Sequence, residues 1–183
     1  LEEIWSRNFT NLFIAPLKVS EIITALTATA LIRTIIGIVP AILLASPFFG
    51  VSLLNLGPSL VLLLLSLYMF GITLGLFVVS GLLRYGPAFE NVAWSSLFLL
   101  APLGCIYYPL SILPDWLQIL AKGLPLVYIF EEVRSILVNN TVNYYNIMLA
   151  LILNLIYFLL SVFVFYSAFH EARNRGTLIN VGE

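Results

Sequence analysis

The sequence predicts an all-α, polytopic membrane helix bundle with four spans, a cytoplasmic amphipathic helix before them and short external re-entrant helices. Hydrophobic residues make up 61% of the 183 residues and charged residues only 9%, whereas charged residues average about 25% in soluble domains. Four stretches reach the roughly 20 apolar residues that a helix needs to cross a bilayer. The formal net charge of -1 provides no basic surface, which excludes nucleic-acid binding.

The predicted organisation is a cytoplasmic helical segment, residues 1–19, followed by a transmembrane domain, residues 20–183. The second span is free of charge, and the third is interrupted by Pro102 and Gly104. Lys and Arg residues outside the spans favour a cytoplasmic position for both ends of the chain. The spans are predicted at residues 22–45, 60–83, 91–110 and 147–168. The cytoplasmic basic residues are Arg7, Lys18, Arg84, Arg173 and Arg175, and the external ones are Lys122 and Arg134.

The segment from Leu1 to Ala15 has apolar residues near helical intervals with polar residues between them, and Pro16 follows. This pattern predicts a short amphipathic helix, whose alternative role is to lie on the membrane surface. The sequence begins at Leu1 and not at Met, and its first residues carry no basic region or apolar core of a signal peptide, so we expect the sequence to be a fragment.

Between the third and fourth spans, residues 113–139 are predicted to form two short external helices. Pro114 and Asp115 suit a first helical turn, Lys122 suits a last turn, Gly123 can supply a left-handed cap, and Pro125 follows. A second helix is predicted from the helical spacing of apolar residues. Two helices that are too short to cross indicate a re-entrant element. The apolar face comprises Leu126, Ile129, Phe130, Val133 and Leu137, and the opposite face carries Tyr128, Glu131 and Ser135.

Residues for catalysis are missing from the predicted spans and loops. The chain has one histidine, His170, and one cysteine, Cys105, so it cannot assemble a zinc site of the usual kind. No phosphate-binding glycine pattern occurs, and any ATP must therefore be bound by another subunit. We predict no catalytic site and no metal site, and we expect Cys105 to be a buried small side chain.

Two sets of charges call for explanation. Arg33 lies inside the first span, where an ionisable side chain is costly and marks a functional site, unless the span begins near Ala28 and Arg33 snorkels to the interface. Glu131 and Arg134 stand at i,i+3 and can pair on the helix surface, with Glu132 between them. The alternative is that these three residues form the solvated face of an amphipathic helix.

Residues 108–117 read YPLSILPDWL, and residues 124–134 read LPLVYIFEEVR. They resemble the YPxxxLPxWL and PLxYxxExxR passage before the last span of type-2 ABC transporter permeases, the membrane subunits of ATP-driven exporters. Residues 7–21, RNFTNLFIAPLKVSE, resemble the segment before the third span of that family. The residues singled out in the external motif are Pro109, Pro114, Trp116, Pro125, Tyr128, Glu131 and Arg134.

The resemblance implies a permease of six spans, of which this sequence holds the third to sixth. It implies export of a drug, lipid or glycan across the cytoplasmic (inner) membrane by a homo- or heterodimer of permeases. ATP and Mg²⁺ would be bound by two partner ATP-binding subunits and no cofactor by this chain. The alternatives are an ion-gradient-driven secondary transporter and a non-transporting membrane scaffold. By the resemblance, the N-terminal helix couples to the ATPase, and we assign this contact to Ile4, Trp5, Arg7, Leu12 and Phe13.

Overall fold

The computed structural model describes residues 18–50 and 53–175, and all regular structure in these ranges is helical. This confirms the predicted all-α membrane bundle. The α-helices in the described ranges are α1 (Val19–Phe49), α2 (Pro58–Tyr85), α3 (Glu90–Leu103), α4 (Asp115–Ala121), α5 (Pro125–Asn139) and α6 (Tyr144–Arg175). Short 3₁₀ turns lie at Leu53–Leu56, Pro87–Phe89 and Leu110–Ile112.

Three of these helices are long and apolar enough to cross a membrane. Their candidate spans are Thr27–Phe48, Pro58–Tyr85 and Tyr144–Asn174, with lengths of 22, 28 and 31 residues. The predicted spans at 22–45, 60–83 and 147–168 lie within α1, α2 and α6. Each helix exceeds the roughly 20 residues that the hydrocarbon core requires.

The predicted span at 91–110 is wrong in its extent, so the described residues contain three long apolar helices and not four. Helix α3 has 14 residues and ends at Leu103. At about 1.5 Å per residue it extends about 21 Å, short of the roughly 30 Å hydrocarbon core. The helix ends here because Cys105 adopts a left-handed backbone conformation with a φ of 54°, which turns the chain away from the helix axis.

The segment that the sequence predicts to be external divides into α4 and α5, as predicted, but the break between them differs in detail. Helix α4 ends at Ala121, and the backbone N–H of Gly123 donates to the carbonyl of Leu120 at 3.1 Å. Gly123 does not take the left-handed conformation predicted for it. Pro125 occupies the first turn of α5, where its missing N–H needs no partner.

Helices α2 and α6 run parallel and form the core of the described bundle. At their N-terminal ends, Leu56 and Leu63 pack in one cluster with Ile147 and Ala150. At their C-terminal ends, a second cluster joins the two helices through Leu76, Leu83, Phe165, Ala168 and Ala172. Small polar side chains recur every seven residues along the buried face of α2, which permits close approach in a membrane. They are Ser59, Ser66, Thr73 and Ser80.

Helix α5 packs on the N-terminal ends of this pair. Its Ile129 and Ile136 join the same cluster as Leu63 and Ile147. Helix α1 differs, because none of its most apolar window is buried by the described residues. Helix α5 therefore lies along the first half of α6, from the contact of Asn146 with Glu132 to the break between α4 and α5, which contacts Tyr157.

Candidate functional site

Glu131 and Arg134 hold the turn that follows α3. Arg134 Nη1 donates to Glu131 Oε1 at 2.8 Å, and the backbone N–H of Leu110 donates to the same oxygen at 2.7 Å. Arg134 Nη2 donates to the backbone carbonyls of Cys105 and Ile106, the latter at 3.3 Å. We call this arrangement of Glu131, Arg134 and the turn 105–110 the clasp. The predicted i,i+3 pair therefore forms, and it connects α5 to the end of α3.

The local sequence explains why this turn can receive a guanidinium group. The left-handed conformation of Cys105 reverses the chain just after Gly104, and the Cys105 and Ile106 carbonyls both accept from the same Arg134 nitrogen. A Cβ at Gly104 would lie 2.8 Å from the side chain of Leu126, so glycine allows the turn to sit against α5. The planar fork of arginine can bond a carboxylate and a carbonyl at once.

Cys105 is fully buried beneath the clasp, and the prediction of a buried small side chain is confirmed. It packs with Ala121 and Val127. Burial and then the negative charge of Glu131 raise the pKa of this thiol, while Arg134 acts in the opposite direction. The Cys105 thiol is therefore shielded and carries less thiolate at neutral pH than an exposed cysteine would.

Pro109 lies within the turn of the clasp, whereas Pro114 and Trp116 lie at the start of α4, outside the clasp. Pro109 is extended and starts the 3₁₀ turn, and its carbonyl accepts from Ile112 at 3.1 Å. Pro114 caps α4, where its carbonyl accepts from the N–H groups of Leu117 and Gln118. Trp116 lies on α4 with 65% of its surface exposed. Tryptophan side chains are enriched at the headgroup interface of membrane proteins.

Pro125 and Tyr128 lie at the start of α5, close to the break that separates it from α4. The Tyr128 hydroxyl donates to the Lys122 carbonyl at 3.0 Å, and the Tyr157 hydroxyl on α6 donates to the Gly123 carbonyl at 3.0 Å. Two tyrosines thus satisfy carbonyls that the end of α4 leaves open. The predicted motif residues therefore divide into the clasp, the α4–α5 break and exposed positions.

Glu132 is the residue that sequence reasoning missed. The sequence predicts it on one charged face with Glu131 and Arg134, yet its side chain is 0% exposed. Its Oε1 accepts from the Asn143 backbone N–H at 2.6 Å, and its Oε2 accepts from Asn146 Nδ2 at 3.1 Å. The signal that could have found it is helical spacing, because Ile129, Glu132 and Ile136 share one side of α5.

The apolar face of α5 is correspondingly rotated from the predicted one. Ile136 is buried, whereas Leu137, predicted on the apolar face, is exposed. The predicted face was drawn from apolar residues alone, so it excluded the buried carboxylate. This correction places a charged side chain inside the contact between α5 and α6.

Arg33 lies exposed within α1 and does not join the clasp. The apolar window of α1 begins at Thr27, which places Arg33 about 9 Å inside it at 1.5 Å per residue. A functional intramembrane charge and a side chain that snorkels to the interface both stay predictions for Arg33. The predicted coupling residues Ile4, Trp5, Arg7, Leu12 and Phe13 lie outside the described residues.

The clasp connects two parts of the chain through an ion pair and backbone hydrogen bonds. Among residues 18–50 and 53–175, no group of three or more His, Cys, Asp or Glu side chains is placed to hold a metal ion. The clasp consists of an ion pair with backbone partners, which can hold or release a turn. Such a joint suits a protein whose activity is movement of helices.

Comparison with known proteins assigns the family. The family model described as ABC-2 type transporter matches residues 3–138, which include α1 to α4 and nearly all of α5. No curated protein and no solved structure matches the chain. Membership of this family implies, in general, an ATP-binding partner subunit and dimerisation. The match and the three long apolar helices together show that this chain belongs to the ABC-2 type transporter family, as a multi-pass membrane transport subunit.

Proposed function

We propose that this chain is the permease subunit of an ATP-driven exporter in the cytoplasmic membrane. The observation that carries the proposal is the family match over residues 3–138. A partner subunit binds ATP and Mg²⁺ and hydrolyses the ATP. Two permeases, in a homo- or heterodimer, enclose the path of a drug, lipid or glycan.

The distribution of basic residues supports an orientation with both ends in the cytoplasm. Arg84 lies at the end of α2 and forms an ion pair with Glu171 near the end of α6, at 3.2 Å. Helix α5 packs on the opposite, N-terminal ends of this parallel pair. Placing Arg84 inside and α5 outside agrees with the preference of Lys and Arg for the cytoplasmic side.

The mechanism that we propose is alternation between inward-facing and outward-facing arrangements. Binding of ATP draws the partner subunits together, and the segment Leu1–Ala15 transmits this motion to α1. The energy comes from the different affinities of the two arrangements for the ATP-bound partner. The external helices α4 and α5 cap the outer end of the path.

The gradient-driven alternative requires carboxylates inside the spans. The acidic residues of α1 and α6 are Glu21 and Glu171, which lie near helix ends, and α2 contains none. Glu132 is buried, but it lies in the external helix α5. The placement of the acidic residues of α1, α2 and α6 therefore counts against proton or sodium coupling.

A docking experiment tests the proposal. The full-length chain is co-expressed with an ATP-binding subunit encoded beside it, identified by a GxxxxGK[ST] loop, and the complex is purified. We expect co-purification and ATP hydrolysis, both lost when residues 1–15 are deleted. Retention of the ATPase by the deleted chain, with α1 to α6 still folded, would contradict the docking role.

A further inference from the structure

Two adjacent glutamates of α5 hold two different parts of the chain. Glu131, with Arg134, holds the turn 105–110 at the end of α3. Glu132 holds residues Asn143 and Asn146 at the start of α6. Because neighbouring residues on a helix point about 100° apart, α5 joins α3 on one side and α6 on the other.

The contact of Glu132 with the start of α6 is buried, and we call it the Glu132 joint. Its carboxylate is fully buried, and both oxygens accept hydrogen bonds from α6 and its N-cap. Among the described residues it forms no ion pair with Lys, Arg or His. The N-terminus of α6, with its partial positive charge, lies directly beside it. Removing either partner leaves a buried polar group unsatisfied, so this joint resists separation.

The clasp, in contrast, is partly solvated. The side chains of Arg134 and Glu131 are 26% and 31% exposed, so water can replace their contacts when the turn leaves. Helix α3, which precedes the turn, has a single buried residue, Ala93. The cost of separating α3 from α5 is therefore lower than the cost of separating α5 from α6.

We propose that Glu132 is a positioning residue that makes α5 and α6 one rigid body, and that the clasp is the joint that opens on the external side during export. This inference rests on the proposed function and deepens it by assigning the moving contact. When the clasp opens, the turn 105–110 leaves α5 and the Cys105 thiol becomes accessible. When it is closed, Cys105 is fully buried and packs with Ala121 of α4 and Val127 of α5.

Labelling of Cys105 tests the opening step. The full-length chain, with any cysteine outside residues 1–183 replaced by serine, is reconstituted with its ATP-binding subunit. A small, membrane-impermeant maleimide is then added without nucleotide, and with ATP bound to a hydrolysis-deficient ATP-binding subunit. We expect labelling to accelerate at least tenfold in the ATP-bound state. Equal labelling rates in both states overturn the inference. The proposed function is unaffected by that result if the complex with an unmodified ATP-binding subunit hydrolyses ATP.

The variant Arg134→Gln tests the clasp independently of ATP. It removes the guanidinium group that reaches the Cys105 and Ile106 carbonyls, so Cys105 should label rapidly without nucleotide. The matched control Arg173→Gln changes an exposed arginine at the other end of the bundle and should label as the unmodified chain does. Slow labelling of the Arg134→Gln variant contradicts the clasp. A chain that neither binds nor activates an ATP-binding subunit contradicts the proposed function instead.

Exchange of acid and amide between Glu132 and Asn146 tests the positioning role. Asn146→Asp places two carboxylates together, and we expect the ATP-dependent acceleration of Cys105 labelling to fall below twofold. The double variant Glu132→Gln with Asn146→Asp restores one acid and one amide, and we expect the acceleration to return. Glu132→Gln alone should retain it, because Asn146 can turn its amide oxygen toward the new donor. Normal acceleration in Asn146→Asp, or no rescue in a folded double variant, overturns the role of Glu132.

Discussion

Asn154 on α6 donates its side-chain amide to Ser66 on α2, to the hydroxyl oxygen at 2.7 Å and to the backbone carbonyl at 2.9 Å. Both residues are fully buried. Asn154 Oδ1 has no hydrogen-bond partner within the described part of the chain. A polar contact of this kind between membrane helices contributes about 0.6–2 kcal/mol, and it fixes the register of α2 against α6.

Substitution at this pair should show which contact matters. We expect Asn154→Ala to lower the free energy of unfolding by about 1–2 kcal/mol, because it removes both contacts and leaves a gap. Ser66→Ala should cost less than about 1 kcal/mol, since the Ser66 carbonyl still accepts from Asn154. Asn174→Ala, at an exposed position of α6, serves as the control. Thermal unfolding in detergent measures all three, and a larger effect of Ser66→Ala would contradict the assignment.

Gly81 on α2 is required by the ring of Phe89. A Cβ at Gly81 would overlap that ring, which also stacks on Tyr85 with centroids 5.8 Å apart. We expect Gly81→Ala to destabilise the chain by about 1–3 kcal/mol, the range for overpacking. Gly75→Ala is the matched control, because no described atom lies within 4 Å of its Cβ position.

A second substitution at the same contact checks the cause. Phe89→Ala combined with Gly81→Ala removes the overlap, so the double variant should recover part of the lost stability relative to Gly81→Ala. The thermal midpoints of the single and double variants give the comparison. Strictly additive losses would show that the Phe89 ring is not the cause.

The ion pair between Arg84 and Glu171 should contribute little. Its atoms are 3.2 Å apart, and the two side chains are 50% and 27% exposed. Pairs this exposed contribute about 0–1 kcal/mol and are screened by salt. We expect Arg84→Gln to lower the thermal midpoint slightly at low salt and not at high salt. A large, salt-independent loss would mean that Arg84 acts through other contacts.

Arg134 should resist exchange for lysine. Its two terminal nitrogens reach the Glu131 carboxylate and two backbone carbonyls, and a single ammonium group cannot reproduce that fork. We expect Arg134→Lys to lower the free energy of unfolding by about 1–3 kcal/mol. Arg173→Lys, at an exposed position, should leave it unchanged. Equal stability of the two variants would indicate that charge alone holds the turn.

The long apolar helices could be predicted from the sequence, because hydropathy over about 20 residues is a local property. The end of α3 could not, since it depends on the left-handed backbone of Cys105 and on the turn that Arg134 holds from α5. Pro102 and Gly104 indicate an interruption of the third span in the sequence, but helix α3 continues through Pro102.

The contacts of the clasp could be predicted only in part, because some of its partners also lie far away in the sequence. The i,i+3 spacing of Glu131 and Arg134 indicated their contact, whereas the backbone partners at residues 105–110 come from a distant part of the chain. The solvent-exposed position predicted for Glu132 is wrong, because that prediction rests on its charge alone. On the helix Glu132 lies on the same side as Ile129 and Ile136, and this side is buried. Ser66 and Asn154 meet only through the packing of α2 on α6.

Transport by reconstituted vesicles tests the central claim most directly. The full-length chain and its ATP-binding subunit are placed in proteoliposomes with a fluorescent phospholipid, a hydrophobic cationic dye or a lipid-linked glycan as probe. The account predicts that at least one probe moves only when hydrolysable ATP and Mg²⁺ are present on the side of the ATP-binding subunit, and that ionophores leave this movement intact. Movement driven by an imposed proton or sodium gradient without ATP would contradict it.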